Sequence, residues 1–232
     1  GTPVSSDSPI RENIAAAVRR VRETTPLAQS FTNFVTINLV ANAQLAAGGT
    51  AAMSFLPDDV IETAKIAGAN YINVGTLLPF YKDALPEIAQ RLNYLGKPWV
   101  LDPVAAGIGR TRTSILQAFK AAPPTVIRAN ASEVIALANM WGLNTESAGD
   151  ASEHRPAGVE SVDDVDSATG AAVALARYLT EQHAKHSSHD ASIPCAVAVS
   201  GIADLVTDGE TVYRLSGGSS MMTKITGAGC SL

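Results

Sequence analysis

With 232 residues, 46% of them apolar and only 5% aromatic, the chain is long enough for one sizeable core, and α/β folds often reach this length as a single domain. A net charge of −5 argues against a general nucleic-acid-binding role, and no apolar run reaches the roughly 18 residues that span a bilayer. The stretch from Gly1 to Pro9 has no signal-peptide core, and two cysteines, Cys195 and Cys230, suit a reducing cytoplasm better than a disulfide framework.

Ser8-Pro9 marks the start of a first helix, and Ile10, Ile14, Val18 and Val21 share one of its faces. Leu27 to Phe31 reads as a short strand with Thr32-Asn33 as its exit, and a second helix runs from Thr36 to Gly48-Gly49. Ala51 to Ser54 is a strand, followed by a helix from Pro57-Asp58-Asp59 to about Gly68. Tyr71 to Gly75 is a buried type of strand, and Pro79 and Pro86 predict a kinked or late-starting helix after it. Gly96-Lys97-Pro98 leads into a strand ending at Asp102-Pro103. Thr125 to Arg128 then feeds a helix that starts at Ala131-Ser132-Glu133. Residues 144–167 are acidic and polar, a surface insertion ahead of a helix near Ala168–His183. Cys195 to Val199 is a buried strand, which makes Cys195 a core residue. Asp208-Gly209, between two strand-like segments, predicts a hairpin. The alternation gives a mainly parallel sheet flanked by helices, in a single domain over 1–232.

In open α/β sheets, ligands bind beyond the carboxyl ends of the strands. Asn33, Asp102, Arg128, Asn130, Glu133 and Ser200 all fall there. Asp102 and Glu133 are hard oxygen donors able to hold Mg²⁺, directly or through water. Each also has a plainer reading: Asp102-Pro103 as a turn, Glu133 as an acid favoured at a helix N-terminus. Arg128 suits either phosphate neutralisation or an ordinary surface position. Gly227-Ala228-Gly229-Cys230 can turn several N–H groups toward one point at the start of a helix, an anion hole with Cys230 facing it. The same residues also make an unremarkable Gly-rich turn with a small cysteine. There is no P-loop and no dinucleotide-binding glycine motif, and the few histidines give a Ser–His–Asp arrangement little support. His183, His186 and His189 read as a solvated helix end, with metal binding as the alternative.

Taken in order, the motifs resemble those of the hydroxyethylthiazole kinase family of ribokinase-like enzymes. They are Pro26-Leu27 through Val35, Ala52-Met53, Ala64 to Ala69, Asn73 to Leu77, Val100 to Val104, Val126 to Glu133, Val199-Ser200-Gly201 and Thr223 to Cys230. The resemblance covers roughly residues 10–232, apart from the 144–167 insertion. It implies ATP- and Mg²⁺-dependent phosphorylation of 4-methyl-5-(2-hydroxyethyl)thiazole in thiamine salvage. It also implies that Met53, Gly227 and Asn33 bind substrate, Arg128 and Ser200 bind ATP, and Cys230 is catalytic. Gly227, Ala228, Gly229 and Cys230 would form the anion hole, and Asp102 and Glu133 would organise Mg²⁺ and its waters. A cytoplasmic homotrimer with interfacial thiazole sites is implied too, with no nucleic-acid or membrane partner.

Three positions depart from the family pattern. Ser200 stands for threonine, Ala228 for the threonine of Gly-Thr-Gly-Cys, and Ala105 for the first glycine after Asp-Pro-Val. The last replaces a residue free to take positive φ. Other readings are a ribokinase-like kinase for a pyridoxine- or hydroxymethylpyrimidine-type alcohol, and a nucleotide- or thiazole-binding protein without turnover. The resemblance further implies several tens of helical residues after Leu232. The expectation is therefore a portion of a longer polypeptide, with the C-terminal helices missing from this chain and the helix after Cys230 disordered, lost or supplied by another chain.

Overall fold

The computed structural model describes residues 2–143, 165–186 and 194–232. Apolar strands and amphipathic helices alternate through most of it: α1 (Pro9–Thr24), β1 (Leu27–Phe31), α2 (Ile37–Ala46), β2 (Thr50–Met53), α3 (Pro57–Ile66), β3 (Ala69–Asn73), α4 (Tyr81–Tyr94), β4 (Trp99–Asp102), α5 (Arg110–Ala118), β5 (Val126–Asn130), α6 (Ala131–Met140), α7 (Thr169–His186), β6 (Ala196–Ser200), β7 (Ala203–Thr207) and β8 (Val212–Ser216). The strands form one sheet in the order β2-β1-β3-β4-β5-β6-β7-β8. The first six run parallel, while β7 and β8 return antiparallel as the Asp208-Gly209 hairpin. Asp208 closes that turn by accepting the N–H groups of Glu210 and Thr211.

Side chains alternate across each strand, so the two faces of the sheet differ. Ile127, Ala129, Val197 and Val199 are fully buried in the main core. Their neighbours Val126, Arg128, Ala198 and Ser200 face the other way and are half-buried. Helices α3 to α7 pack successively against one another, and α7 also covers β6 and β7. The buried Trp99 and Trp141 donate their indole N–H groups to Asn93 Oδ1 and the Leu116 carbonyl, so neither carries an orphan donor into the core.

Several boundaries differ from the sequence reading. The β3 strand begins two residues early and stops at Asn73, not Gly75, because the Gly75 N–H turns back onto the Asn73 side chain. The α4 helix starts late, at Tyr81 beyond Pro79, and carries Pro86 within it. The α5 helix was not foreseen. Gly107, Gly109 and a polar Arg-Thr-Arg-Thr run disguise it, and only Ile115 and Leu116 are buried. In α1 the apolar stripe forms on one face as expected, yet none of its residues is buried. Of the 144–167 insertion, residues 144–164 lie outside the described residues, as does His189. Among the described residues, no helix is long and apolar enough to cross a membrane.

Candidate active site

The chain leaves β1 to one side to form β2 and returns on the other side to form β3. This reversal opens a crevice at the carboxyl ends of β1 and β3, where open α/β sheets bind ligands. Asn33 follows β1 and Asn73 ends β3, flanking that crevice. Asp102 ends β4, Arg128 lies on β5 and Ser200 ends β6. The turn Gly227–Cys230 is packed over these strand ends. Gly227 has φ +86°, and a β-carbon there would fall 2.7 Å from Thr36 Cγ2, so the turn can approach α2 only as glycine.

Asp102 is the hub. It is 1% exposed, and its Oδ2 accepts from Tyr71 Oη (3.1 Å), Arg128 Nη1 (3.3 Å) and Asn73 Nδ2 (3.4 Å). Arg128 also donates from Nε and Nη2 to Ser200 Oγ at 3.2 and 2.9 Å. A guanidinium has five N–H donors, so two remain for a ligand. The Tyr71 hydroxyl is also within 3.1 Å of the Cys230 carbonyl oxygen, which ties the Gly-rich turn to β3. Burial pushes the Asp102 carboxyl up to about 6; Arg128 opposes that rise and Glu133 adds to it. Burial likewise pushes the Tyr71 phenol far above its ordinary range, reinforced by the Asp102 charge, so it remains a donor.

Glu133 has a structural occupation. It completes a capping box with Asn130: the Glu133 N–H donates to Asn130 Oδ1 (2.9 Å) and the Asn130 N–H to Glu133 Oε2 (3.0 Å). Its Oε1 accepts the Ala105 N–H at 3.0 Å. Burial raises the Glu133 carboxyl, and these two N–H groups oppose the rise. Ala105 has φ +60°, the left-handed region expected of the glycine it replaces.

In the Gly-rich turn the Ala228 N–H is used by the Ile225 carbonyl, and the Gly227 carbonyl accepts from Ser231 N–H at 3.0 Å, a first helical turn. The N–H groups of Gly227, Gly229 and Cys230 take no protein acceptor among the described residues. They are therefore available to an anion. Met53 sits apart from this network, half-buried at the end of edge strand β2 and paired with Ser30. Near it, Phe31, Phe34, Phe55 and Tyr81 make edge-on and stacked ring contacts.

Asn33, Asp102, Arg128, Ser200 and Cys230 are thus joined by hydrogen bonds, directly or through Tyr71 and Asn73. The sequence reading did not single out those two linkers as site residues. Asn73 had a usable signal, a polar side chain ending an apolar strand; Tyr71 had none. Of the two described histidines, His183 Nε2 lies 3.1 and 3.0 Å from the Pro123 and Pro124 carbonyls, and His186 Nδ1 bonds its own helix. Among the described residues, no three His, Cys, Asp or Glu side chains form a metal cluster.

The sheet order and the strand-end cluster define a ribokinase-like kinase fold. Bacillus subtilis pyridoxal kinase, solved as an ADP complex, shares that fold with a TM-score of 0.57 at 16% identity, over 89% of this chain and 80% of that one. The solved hydroxyethylthiazole kinase of Pyrococcus horikoshii OT3 is nearer, with a TM-score of 0.75 at 30% identity, over 95% of this chain and 73% of that one. The sequence pattern of the hydroxyethylthiazole kinase family matches residues 18–232. Hydroxyethylthiazole kinase of Bifidobacterium longum (strain DJO10A) is 93% identical over 232 residues, 100% of this chain and 74% of that protein. That of Bifidobacterium animalis subsp. lactis (strain AD011) is 64% identical over 229 residues, 99% of this chain and 73% of that protein. The chain belongs to the hydroxyethylthiazole kinase family.

Proposed function

We propose that the chain transfers the γ-phosphoryl group of ATP to the primary hydroxyl of 4-methyl-5-(2-hydroxyethyl)thiazole, the thiamine-salvage reaction of its family. The observation that carries this reading is the packing of the Gly227–Cys230 turn, with its Cys230 thiol and available N–H groups, against Arg128 and the strand-end asparagines. A loose phosphoryl-transfer transition state needs its reactants in line and its equatorial oxygens neutralised, with little base strength early on. The spare Arg128 donors and the Ser200 hydroxyl suit ATP phosphates. The N–H groups of Gly227, Gly229 and Cys230 suit the oxygens of the phosphoryl group in flight. As the alcohol oxygen bonds to phosphorus and the bond to the ADP oxygen breaks, the alcohol proton passes to the Cys230 sulfur, which enters the step as a thiolate and leaves it as a thiol. Met53 and the neighbouring aromatic rings offer an apolar wall for the thiazole.

Mg²⁺ fits this charge pattern. Asp102 and Glu133 repel one another across a buried site that holds one arginine, leaving a negative charge in excess. Their oxygens retain lone pairs for metal-bound water, and Mg²⁺ is commonly held by one or two carboxylates, waters and substrate phosphates. Bound there, it would supply charge neutralisation at the phosphates. A homotrimer with interfacial sites is the assembly we favour, since Phe34, Val35, Leu56 and Phe80 leave exposed apolar surface beside the crevice.

The test is ADP release coupled to the thiazole alcohol, with pyridoxine and a hydroxymethylpyrimidine as competing acceptors. Turnover confined to the thiazole alcohol is expected. Cys230→Ala should lower kcat by about 10²–10⁴-fold while ATP still binds. Preference for another alcohol, or no turnover with any of them, would overturn the reading.

A further inference from the structure

Beside the proposed base stands a pair of buried amides. Asn73 is 0% exposed and Asn33 only 6%. The Gly75 backbone N–H donates to Asn73 Oδ1 at 2.9 Å, which settles the direction of that amide because a backbone N–H can only donate. The Asn73 NH₂ group then faces Tyr71 Oη (3.0 Å), Asp102 Oδ2 (3.4 Å) and Cys230 Sγ (3.3 Å). Asn33 is oriented in the same way. Its Oδ1 accepts from Thr36 Oγ1 at 3.1 Å, and its NH₂ group faces Asn73 Oδ1 (3.1 Å) and Cys230 Sγ (3.4 Å). Gly75 leaves the pair no slack, since a β-carbon there would fall 2.9 Å from Asn73 Oδ1 and 3.1 Å from Asn33 Cβ.

We infer that Asn73 and Asn33 are positioning residues for Cys230, their two side-chain N–H groups fixing the sulfur so that a free lone pair of its thiolate form turns away from both amides, toward the bound alcohol. Each NH₂ group has two hydrogens. Asn33 gives one to Asn73 and one to sulfur; Asn73 gives one to the Tyr71–Asp102 pair and one to sulfur. Two donors on one sulfur occupy two lone pairs of the thiolate and leave the third for the alcohol proton. The same two contacts hold the sulfur in place while it takes up the alcohol proton. They also link the base to Asp102, and through it to Arg128, so thiol and guanidinium share one frame. The inference rests on the proposed catalytic role of Cys230, and the experiment separates the two.

Asn73→Ala, Asn33→Ala, Cys230→Ala and the two double variants are compared in steady-state kinetics, with folding checked by circular dichroism and thermal midpoint. Misplacement of a reacting group by about 1 Å can cost around 10²-fold. Each Asn variant should therefore lose about 10- to 100-fold in kcat with KM for ATP within about threefold of wild type, and Asn73→Ala should leave KM for the thiazole alcohol within the same range. In the Cys230→Ala background the same Asn substitutions should have no further effect, because they act through the sulfur. Asn33→Ala carries the test if Asn73→Ala does not fold. An Asn substitution that lowers kcat equally with and without the thiol overturns the inference but leaves Cys230 as base. Wild-type turnover in Cys230→Ala alone overturns the catalytic assignment and the inference with it.

Discussion

Arg128 occupies the space that a side chain at Gly229 would need: a β-carbon there would lie 3.1 Å from both Nη1 and Nη2 of the guanidinium. The arginine therefore points its Nη1–Nη2 edge at the backbone of the Gly-rich turn, with Asp102 and Ser200 holding its other edges. Arg128→Ala should weaken ATP binding about 10- to 100-fold, the range expected when charge-assisted hydrogen bonds of about 1.5–3 kcal/mol are lost. Gly229→Ala should act in the same direction but by less, since it only pushes the guanidinium aside. Calorimetric titration with a non-hydrolysable ATP analogue checks both. Unchanged affinity in Arg128→Ala would remove it from the nucleotide site.

Ala105 holds a backbone conformation, φ +60°, that costs an L-residue roughly 1–2 kcal/mol. Ala105→Gly should relieve that strain, offset by the greater unfolded-state freedom of glycine, for a net gain of up to about 1 kcal/mol. The denaturant midpoint should rise at constant slope. Ala105→Val should move it the other way. A lower midpoint for the glycine variant would show that position 105 is unstrained.

Asp208 accepts the backbone N–H groups of Thr211 and Glu210, and these contacts hold its carboxyl below the ordinary value. A depressed folded-state value means that the ionised form supports the fold. The support is complete above the unfolded-state value of about 3.9 and disappears as pH falls through the folded-state value. Asp208→Asn should therefore be less stable than wild type at neutral pH. The two should converge in acid, as pH falls below the unfolded-state value and through the depressed folded-state one. Thermal melts across pH 2.5–7 measure this, and a gap that persists at the acid end would mean that the charge is irrelevant.

Met53 contributes a flexible thioether at the end of an edge strand, and among the described residues its sulfur shares no hydrogen bond with the phosphate-side network. Met53→Ala should raise KM for the thiazole alcohol roughly tenfold, as expected for apolar contacts worth about 1–3 kcal/mol, and leave KM for ATP unchanged. An effect confined to ATP would reverse the assignment.

The layered α/β architecture was legible because strand-length apolar runs recur with helical spacing between them, and Asp208-Gly209 announced its hairpin. Asp102, Arg128 and Ser200 were legible as polar residues where apolar strands end. Glu133 was legible twice over, as an acid for a metal and as a helix-start acid; the capping box with Asn130 realises the second reading. Asn33 was legible as a polar strand-exit residue expected to bind substrate, but not as a partner of Cys230. Sequence position puts it at a strand exit, but only the fold reveals that its amide is taken up by Thr36, Asn73 and Cys230. Tyr71 was hidden for the same reason, since a tyrosine within a strand reads as packing until its hydroxyl is found between Asp102 and the Cys230 carbonyl. The α5 helix escaped because its few core contacts give almost no apolar period.

Asn33 and Cys230 meet across 197 positions of chain, and Tyr71 and Cys230 across 159. Closing loops of that size is entropically late work, undertaken after nearer strands have paired. Strands β1 to β6 can therefore pair, and both tryptophans be buried, before Cys230 reaches Asn33 and Tyr71. The hydrogen-bonded cluster is complete only once the Gly227–Cys230 turn closes over the ends of β1 and β3. A half-made kinase of this design has no assembled centre with which to squander ATP.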